Sequence, residues 1–245
     1  MSESAFDMPR VRAPGFLHVV LAVIGIGTFI AFGLFVLLPD LIGSGLSDSG
    51  LDIADLMILP IASILGVAVF VVLLGRLPWS GLGLRSAPAG AFLRALGWWL
   101  LCLPVVAAVL YTTYKITGRA AIEEQLDMMP DLSDDDGTIT AAFILLVGIL
   151  SPIAEELVFR GVLFAWLRRH VNFWVAGLAS ALVFALAHGI PDIILPTAIL
   201  GLLFAWIYER TGSLWPAMLA HVAHNLLVTS VMLPTMLGIG VEALT

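Results

Sequence analysis

Apolar residues run along this chain in seven blocks, separated by short polar or turn-forming stretches. A helix needs about 20 apolar residues to cross a bilayer. The blocks are 16–38, 56–75, 92–114, 139–166, 173–188, 193–208 and 214–233. The fifth and sixth are short, and Pro191 and Pro196 divide or kink them, so six to eight spans fit the pattern. The blocks show little of the period-two alternation of a transmembrane β-barrel. The expectation is an all-α polytopic membrane protein, a bundle of about seven transmembrane helices. The first block follows Arg10 and Arg12 as a secretory signal would. It is too long for a signal core and shows no small-residue cleavage site, so it reads as a retained span.

Composition agrees with the pattern. Of 245 residues, 60% are hydrophobic and 12% charged, where a soluble domain is nearer a quarter charged. Mean hydropathy is +1.07. The bilayer is the expected surrounding, and no nucleic-acid partner is expected. The lone Cys102 has no disulfide partner. Residues 1–138 hold the N-terminal helices and an acidic loop, and 139–233 hold the helices with polar motifs. Both read as one integrated membrane domain over 1–245, without an internal repeat.

The net charge is −7, but its placement says more. With the N-terminus cytoplasmic, the inner segments hold Arg10, Arg12, Arg76, Arg85, Arg94, Arg168, Arg169 and Arg210, and the outer ones only Lys115 and Arg119. That bias sets the predicted orientation, in a bacterial inner membrane. In the outer loop 115–138, Ile122, Leu126 and Met129 recur at helical spacing among Glu123, Glu124 and Asp127. Both an interfacial amphipathic helix and a solvated acidic loop fit. The inner loop 76–94 reads as turns around Pro78, Gly81, Gly83, Pro88 and Gly90.

Ionisable residues inside a span are costly and default to functional candidates. Glu155 and Glu156 sit side by side in the fourth block. Glu156 and Arg160 share a helix face at i and i+4, the acid first, which is the favourable order. Glu155 then points roughly 100° away, with no partner in its own helix. Phe184 and His188 lie one turn apart in the fifth block, and His221 and Asn225 in the last. His224 is rotated off that line. Asp192, beside Pro191, reads as a turn residue. Together these groups form a hydrolytic set. The expectation is that Glu155 takes a proton from water, that His188 orients that water and shuttles the proton, and that His221 and Asn225 donate to the developing oxyanion.

Glu-Glu-x-x-x-Arg, Phe-x-x-x-His and His-x-x-x-Asn, in this order on successive helices, resemble the CPBP family. That family groups type II CAAX prenyl endopeptidases with bacteriocin-processing and Abi-type membrane proteases. The resemblance covers about 139–233, and Trp79-Ser80-Gly81-Leu82-Gly83-Leu84-Arg85 also resembles an upstream family segment. It implies an intramembrane endopeptidase acting on a membrane-associated peptide or protein. Glu155 matches the catalytic glutamate, His188 the water-activating histidine, and His221 and Asn225 the oxyanion pair. Glu156 and Arg160 match the supporting pair, and Phe184 the motif aromatic. Family members are described both as metalloproteases and as metal-free glutamate proteases. No cofactor is expected here; if zinc is used, Glu155, His188 and His221 are the two-histidine, one-carboxylate set.

Two readings without catalysis use the same residues: a transporter or proton pathway, and an immunity-type binding protein. Depth poses a problem for catalysis. Glu155 falls at mid-depth or nearer the cytoplasm, His221 near the inner start of its span, and His188 toward the outside. Convergence predicts a helix break at 188–192, buried in the bundle and lining a wet cavity.

Overall fold

The computed structural model describes residues 13–45, 47–117, 126, 129–133, 135 and 137–238. Helices follow one another as α1 (Phe16–Ile42), α2 (Asp48–Leu74), α3 (Ala89–Thr117), α4 (Thr138–Arg168), α5 (Phe173–Leu186), α6 (Pro191–Thr211) and α7 (Leu214–Met236). All but α5 are long and apolar enough to cross a membrane. No strand occurs among the described residues. The chain is an all-α polytopic membrane protein, as the apolar pattern predicts. Large apolar side chains such as Phe35, Leu101 and Ile116 point outward, which suits hydrocarbon. Cys102 is a free, half-buried thiol packed against the Trp99 and Phe204 cluster.

Short polar caps fix the helix starts. The Asn172 side chain accepts from the Val175 N–H at 3.1 Å and opens α5. Ser213 accepts from the Trp215 N–H at 3.3 Å and opens α7. Each cap satisfies a backbone donor left free in the first turn. Asp135 accepts from the Gly137, Ile139 and Thr140 N–H groups and opens α4. Desolvation works to raise the Asp135 carboxyl, but the bonds from Thr140, Ile139 and Gly137 outweigh it and hold it below the ordinary range.

Basic side chains gather at one end of the bundle. There Arg169 donates to the Ala13 and Pro14 carbonyls at 3.1 and 2.8 Å, and Arg168 clasps Glu209 at 3.1 Å. The connection after α2 does more than turn: it folds beneath the bundle. Pro78 leads into a single 3-10 turn, Trp79–Leu82, and Gly83 takes φ +93°. The Leu214 N–H donates to the Gly83 carbonyl at 2.8 Å. Ser213 Oγ donates to the Arg85 carbonyl at 2.6 Å. Leu82, Ser213 and Leu214 are fully buried. A Cβ on Gly83 would collide with the Tyr208 ring, so glycine serves both the left-handed backbone and the close approach. The covered turn starts α7 inside the bundle rather than at its surface.

The opposite end is tied by Ser49 to the Asp131 carbonyl at 2.7 Å and by the Leu132 N–H to the Met236 carbonyl at 3.0 Å. Asp192 accepts from Thr117 at 3.3 Å in the 3-10 turn Pro191–Ile193, as its turn assignment anticipates. Leu132 is fully buried among Ile53, Phe143, Met232 and Met236, with Leu126 and Met129 at the edge of that cluster. Ile122, Glu123, Glu124, Asp127, Arg10, Arg12 and Arg119 lie outside the described residues.

Candidate active site

The paired glutamates sit thirteen residues before the Arg168 end of α4. Glu156–Phe164 is wound as a π-helix, a form that recurs at functional sites. Glu156 is fully buried, with Oε1 3.0 Å from Arg160 Nη1. The other guanidinium arm, Nη2, donates to the Gly201 carbonyl of α6 at 3.1 Å. The Arg160 Cζ lies 4.4 Å from the Phe184 ring centre and 5.4 Å from that of Phe204. A buried charge is tolerable when it is paired and surrounded by such partners.

His221 of α7 lies between the two acids. Its Nδ1 is 2.9 Å from Glu156 Oε1 and its Nε2 3.4 Å from Glu155 Oε2. The imidazole stacks on Phe204 at 4.5 Å and meets the edge of Phe184 at 5.6 Å. Glu155 thus gains a partner that no residue on its own helix supplies. The two ring nitrogens point in different directions, so one imidazole spans the gap between adjacent carboxylates.

The glutamates differ in exposure. The Glu156 side chain is 0% exposed and that of Glu155 28%. Glu155 opens on a cavity of about 340 Å³ that His188 also lines, with Ser151, Val158 and Phe159 on the α4 side. His188 Nδ1 is 2.9 Å from the Phe184 carbonyl. A carbonyl only accepts, so Nδ1 carries the proton there and the neutral ring leaves Nε2 as an acceptor. The His188 ring packs edge-on against Phe184 at 4.8 Å. Asn225 sits one turn beyond His221, and its Nδ2 donates to the Val147 carbonyl of α4 at 3.0 Å. His224 accepts from Trp99 Nε1 at 3.4 Å and ties α7 to α3.

The predicted break after His188 is present and His188 lines the cavity, but the break is not buried in the bundle. The chain leaves α5 at 187–190, with Gly189 at φ +70°. Gly189 and Pro191 are exposed; only Ile190 between them is buried. At 1.5 Å per residue, Glu155 is about 20 Å from the Arg168 end of α4, and His188 about 22 Å from Phe173. Both distances start from the basic end, so the two residues reach similar depth. His221 is seven residues into α7, whose first turn is held against the Gly83 and Arg85 carbonyls.

Among the described residues, no three His, Cys, Asp or Glu side chains converge as ligands of one metal ion. His188 turns Nδ1 to its own backbone, and both His221 nitrogens face carboxylates. The side chains of Glu155, His188 and His221 do not converge on one point as a zinc-ligand set.

Residues 137–227 match the model of the type II CAAX prenyl endopeptidases, Rce1-like. Within that stretch fall Glu155, Glu156, Arg160, Phe184, His188, His221 and Asn225. The chain is 37% identical over 86 residues to the protein named "Putative membrane peptidase YdiL" of Bacillus subtilis (strain 168), covering 35% of each chain. It is 34% identical over 82 residues to the UPF0177 protein YxdF of Lactococcus lactis subsp. lactis (strain IL1403), covering 33% of this chain and 45% of that one. It is 36% identical over 89 residues to the membrane-embedded CAAX protease MroQ of Staphylococcus aureus (strain USA300), covering 34% and 36%. The chain thus spans less than half the length of these curated relatives. No solved structure matches it.

Part of the cavity lies outside the Rce1-like stretch. Ile26 of α1 and Leu59, Pro60 and Ser63 of α2 form the wall facing Glu155 and His188. No motif marks these residues, and their position becomes visible only once α1 and α2 pack on α4.

Proposed function

We propose that this protein is an intramembrane endopeptidase that hydrolyses a peptide bond of a membrane-associated peptide or protein, with Glu155 as general base. One observation carries the reading: of the two adjacent acids, only Glu155 opens on the cavity that His188 lines. Water between them gives a proton to Glu155, and its oxygen attacks the carbonyl carbon. The C–N bond then breaks, and the proton passes through His188 to the leaving amine. His221 and Asn225 donate to the oxyanion, where one preorganised donor contributes about 3 kcal/mol. For His221 this requires a proton on Nε2 and a turn from Glu155 to the substrate. With Nδ1–H held by Glu156, that form is the imidazolium, whose charge and that of Arg160 balance the two carboxylates. Glu156, Arg160 and Phe184 hold the set in place.

The Rce1-like match and the names of the peptidase and protease relatives support a peptidase. The basic end faces the cytoplasm on this reading, following the arginine bias, and the host membrane is a bacterial inner membrane. The reaction is metal-free: turnover persists through exhaustive chelation, whereas loss restored by zinc would overturn that part.

Comparative proteomics of membrane peptides in cells carrying wild type or Glu155→Gln tests the whole. Removing a general base lowers turnover by roughly 10²- to 10⁴-fold, so substrate segments accumulate while expression persists. An unchanged peptide profile and phenotype in the double variant Glu155→Gln, His188→Ala would favour transport or binding instead.

A further inference from the structure

α5 carries His188 to the site, yet its largest interface is with α6 rather than with the glutamate helix. That interface is built from small residues. A Cβ on Gly201 would sit 3.1 Å from Ala181, and one on Gly177 2.9 Å from Leu202. Small residues of this kind let helices approach closely. A directional bond fixes register.

One such bond joins α5 to α4. Ser180 is fully buried, and its Oγ donates to the Phe159 carbonyl at 2.9 Å, inside the π-wound stretch. Phe159 lies one turn past Glu155 and lines the same cavity. Ser180 and Phe184 are spaced by four and share one face of α5, and His188, four residues on, stands in the turn just past its end. Phe184 continues the contact, its ring centre 5.1 Å from that of Phe159. The two helices run in opposite directions, so Glu155 and Phe184 both lie about 6 Å outward from the Ser180–Phe159 bond. Side chains tilt toward a helix N-terminus, which brings the His188 ring back over Phe184 toward Glu155.

We infer that Ser180 is a positioning residue, whose hydroxyl fixes the register of α5 on α4 and so sets the gap between Glu155 and His188. The inference rests on the hydrolytic reading above. A misplacement near 1 Å costs catalysis up to about 100-fold, so loss of the bond falls on the chemical step.

The test uses full-length protein in proteoliposomes and a fluorogenic peptide copied from a segment that accumulates in Glu155→Gln cells. Ser180→Ala lowers kcat by about 10- to 100-fold with KM little changed, and Ser180→Thr, which keeps the hydroxyl, retains most of the rate. If the alanine variant does not fold, the near-isosteric Ser180→Cys, a weak donor, takes its place with the same expected split. Wild-type kcat in Ser180→Ala, or a loss that only follows the folded fraction in thermal unfolding, overturns the inference. Glu155→Gln in the same assay separates the two claims. If it is inactive while Ser180→Ala is normal, only the positioning role falls. If it is fully active, the hydrolytic reading falls and takes the positioning role with it.

Discussion

α3 and α4 have nearly the same length, 29 and 31 residues, and both are apolar enough to cross a membrane. Their surroundings differ. The apolar window of α3 is 11% buried and that of α4 39%. α3 carries its charges, Arg94 and Lys115, near its ends, where long side chains reach the interface. α4 carries Glu155, Glu156 and Arg160 in its interior and surrounds them with α5, α6 and α7. Apolar length brings a helix into the membrane. Partners for its polar groups decide whether it lies at the edge of the bundle or in the middle.

The sharpest way to break this contrast is Arg160→Met. It strands the Glu156 carboxylate without its ion pair, and breaking a buried pair costs about 3–5 kcal/mol. Denaturant unfolding in detergent micelles measures the loss. Next comes Gly161→Leu. A Cβ added there would lie 3.2 Å from the Leu82 carbonyl, and overpacking a tight site costs about 1–3 kcal/mol. The expected outcome is a lower midpoint and loosening of the docked inner loop, read as faster amide exchange at Leu214.

A smaller effect concerns pH. The Asp135 carboxyl is held low in the folded state, so its contribution is present above the unfolded carboxyl range near pH 4. It is lost as pH falls through the folded value. The unfolding midpoint drops on acidification, and Asp135→Asn flattens that part of the profile. The smallest effect belongs to α3. Leu101→Ala removes an outward-facing side chain and shifts stability by no more than about 0.5 kcal/mol; a larger shift would mean that α3 is packed against something other than lipid.

The helices were legible because hydrocarbon demands long apolar runs, and six of the seven predicted blocks correspond to helices long enough to cross. The Glu156–Arg160 pair was legible because i and i+4 positions meet on any helix. Two features were not. The bridge from His221 to both acids depends on how α7 packs against α4, and no local spacing encodes that approach. The recessed start of α7 depends on Gly83 and Arg85 docking under Ser213 and Leu214, more than 120 residues apart in the chain. Pro78 and Gly83 signalled a turn, but a turn signal does not say what the turned segment covers. The Ser180, Phe184, His188 series was present at four-residue spacing; its meaning emerged only with the carbonyl that Ser180 meets.

The buried Leu132 layer has a consequence for the polar groups of the bundle. A chain of carboxylates, imidazoles and a guanidinium this deep in a bilayer is half of an ion leak. Toward the end tied by Ser49 and Asp131, Ile53, Leu132, Phe143, Met232 and Met236, each at most 5% exposed, pack into an apolar layer. Apolar side chains offer no hydrogen-bonded route for a proton, so this layer separates that end of the bundle from the polar set.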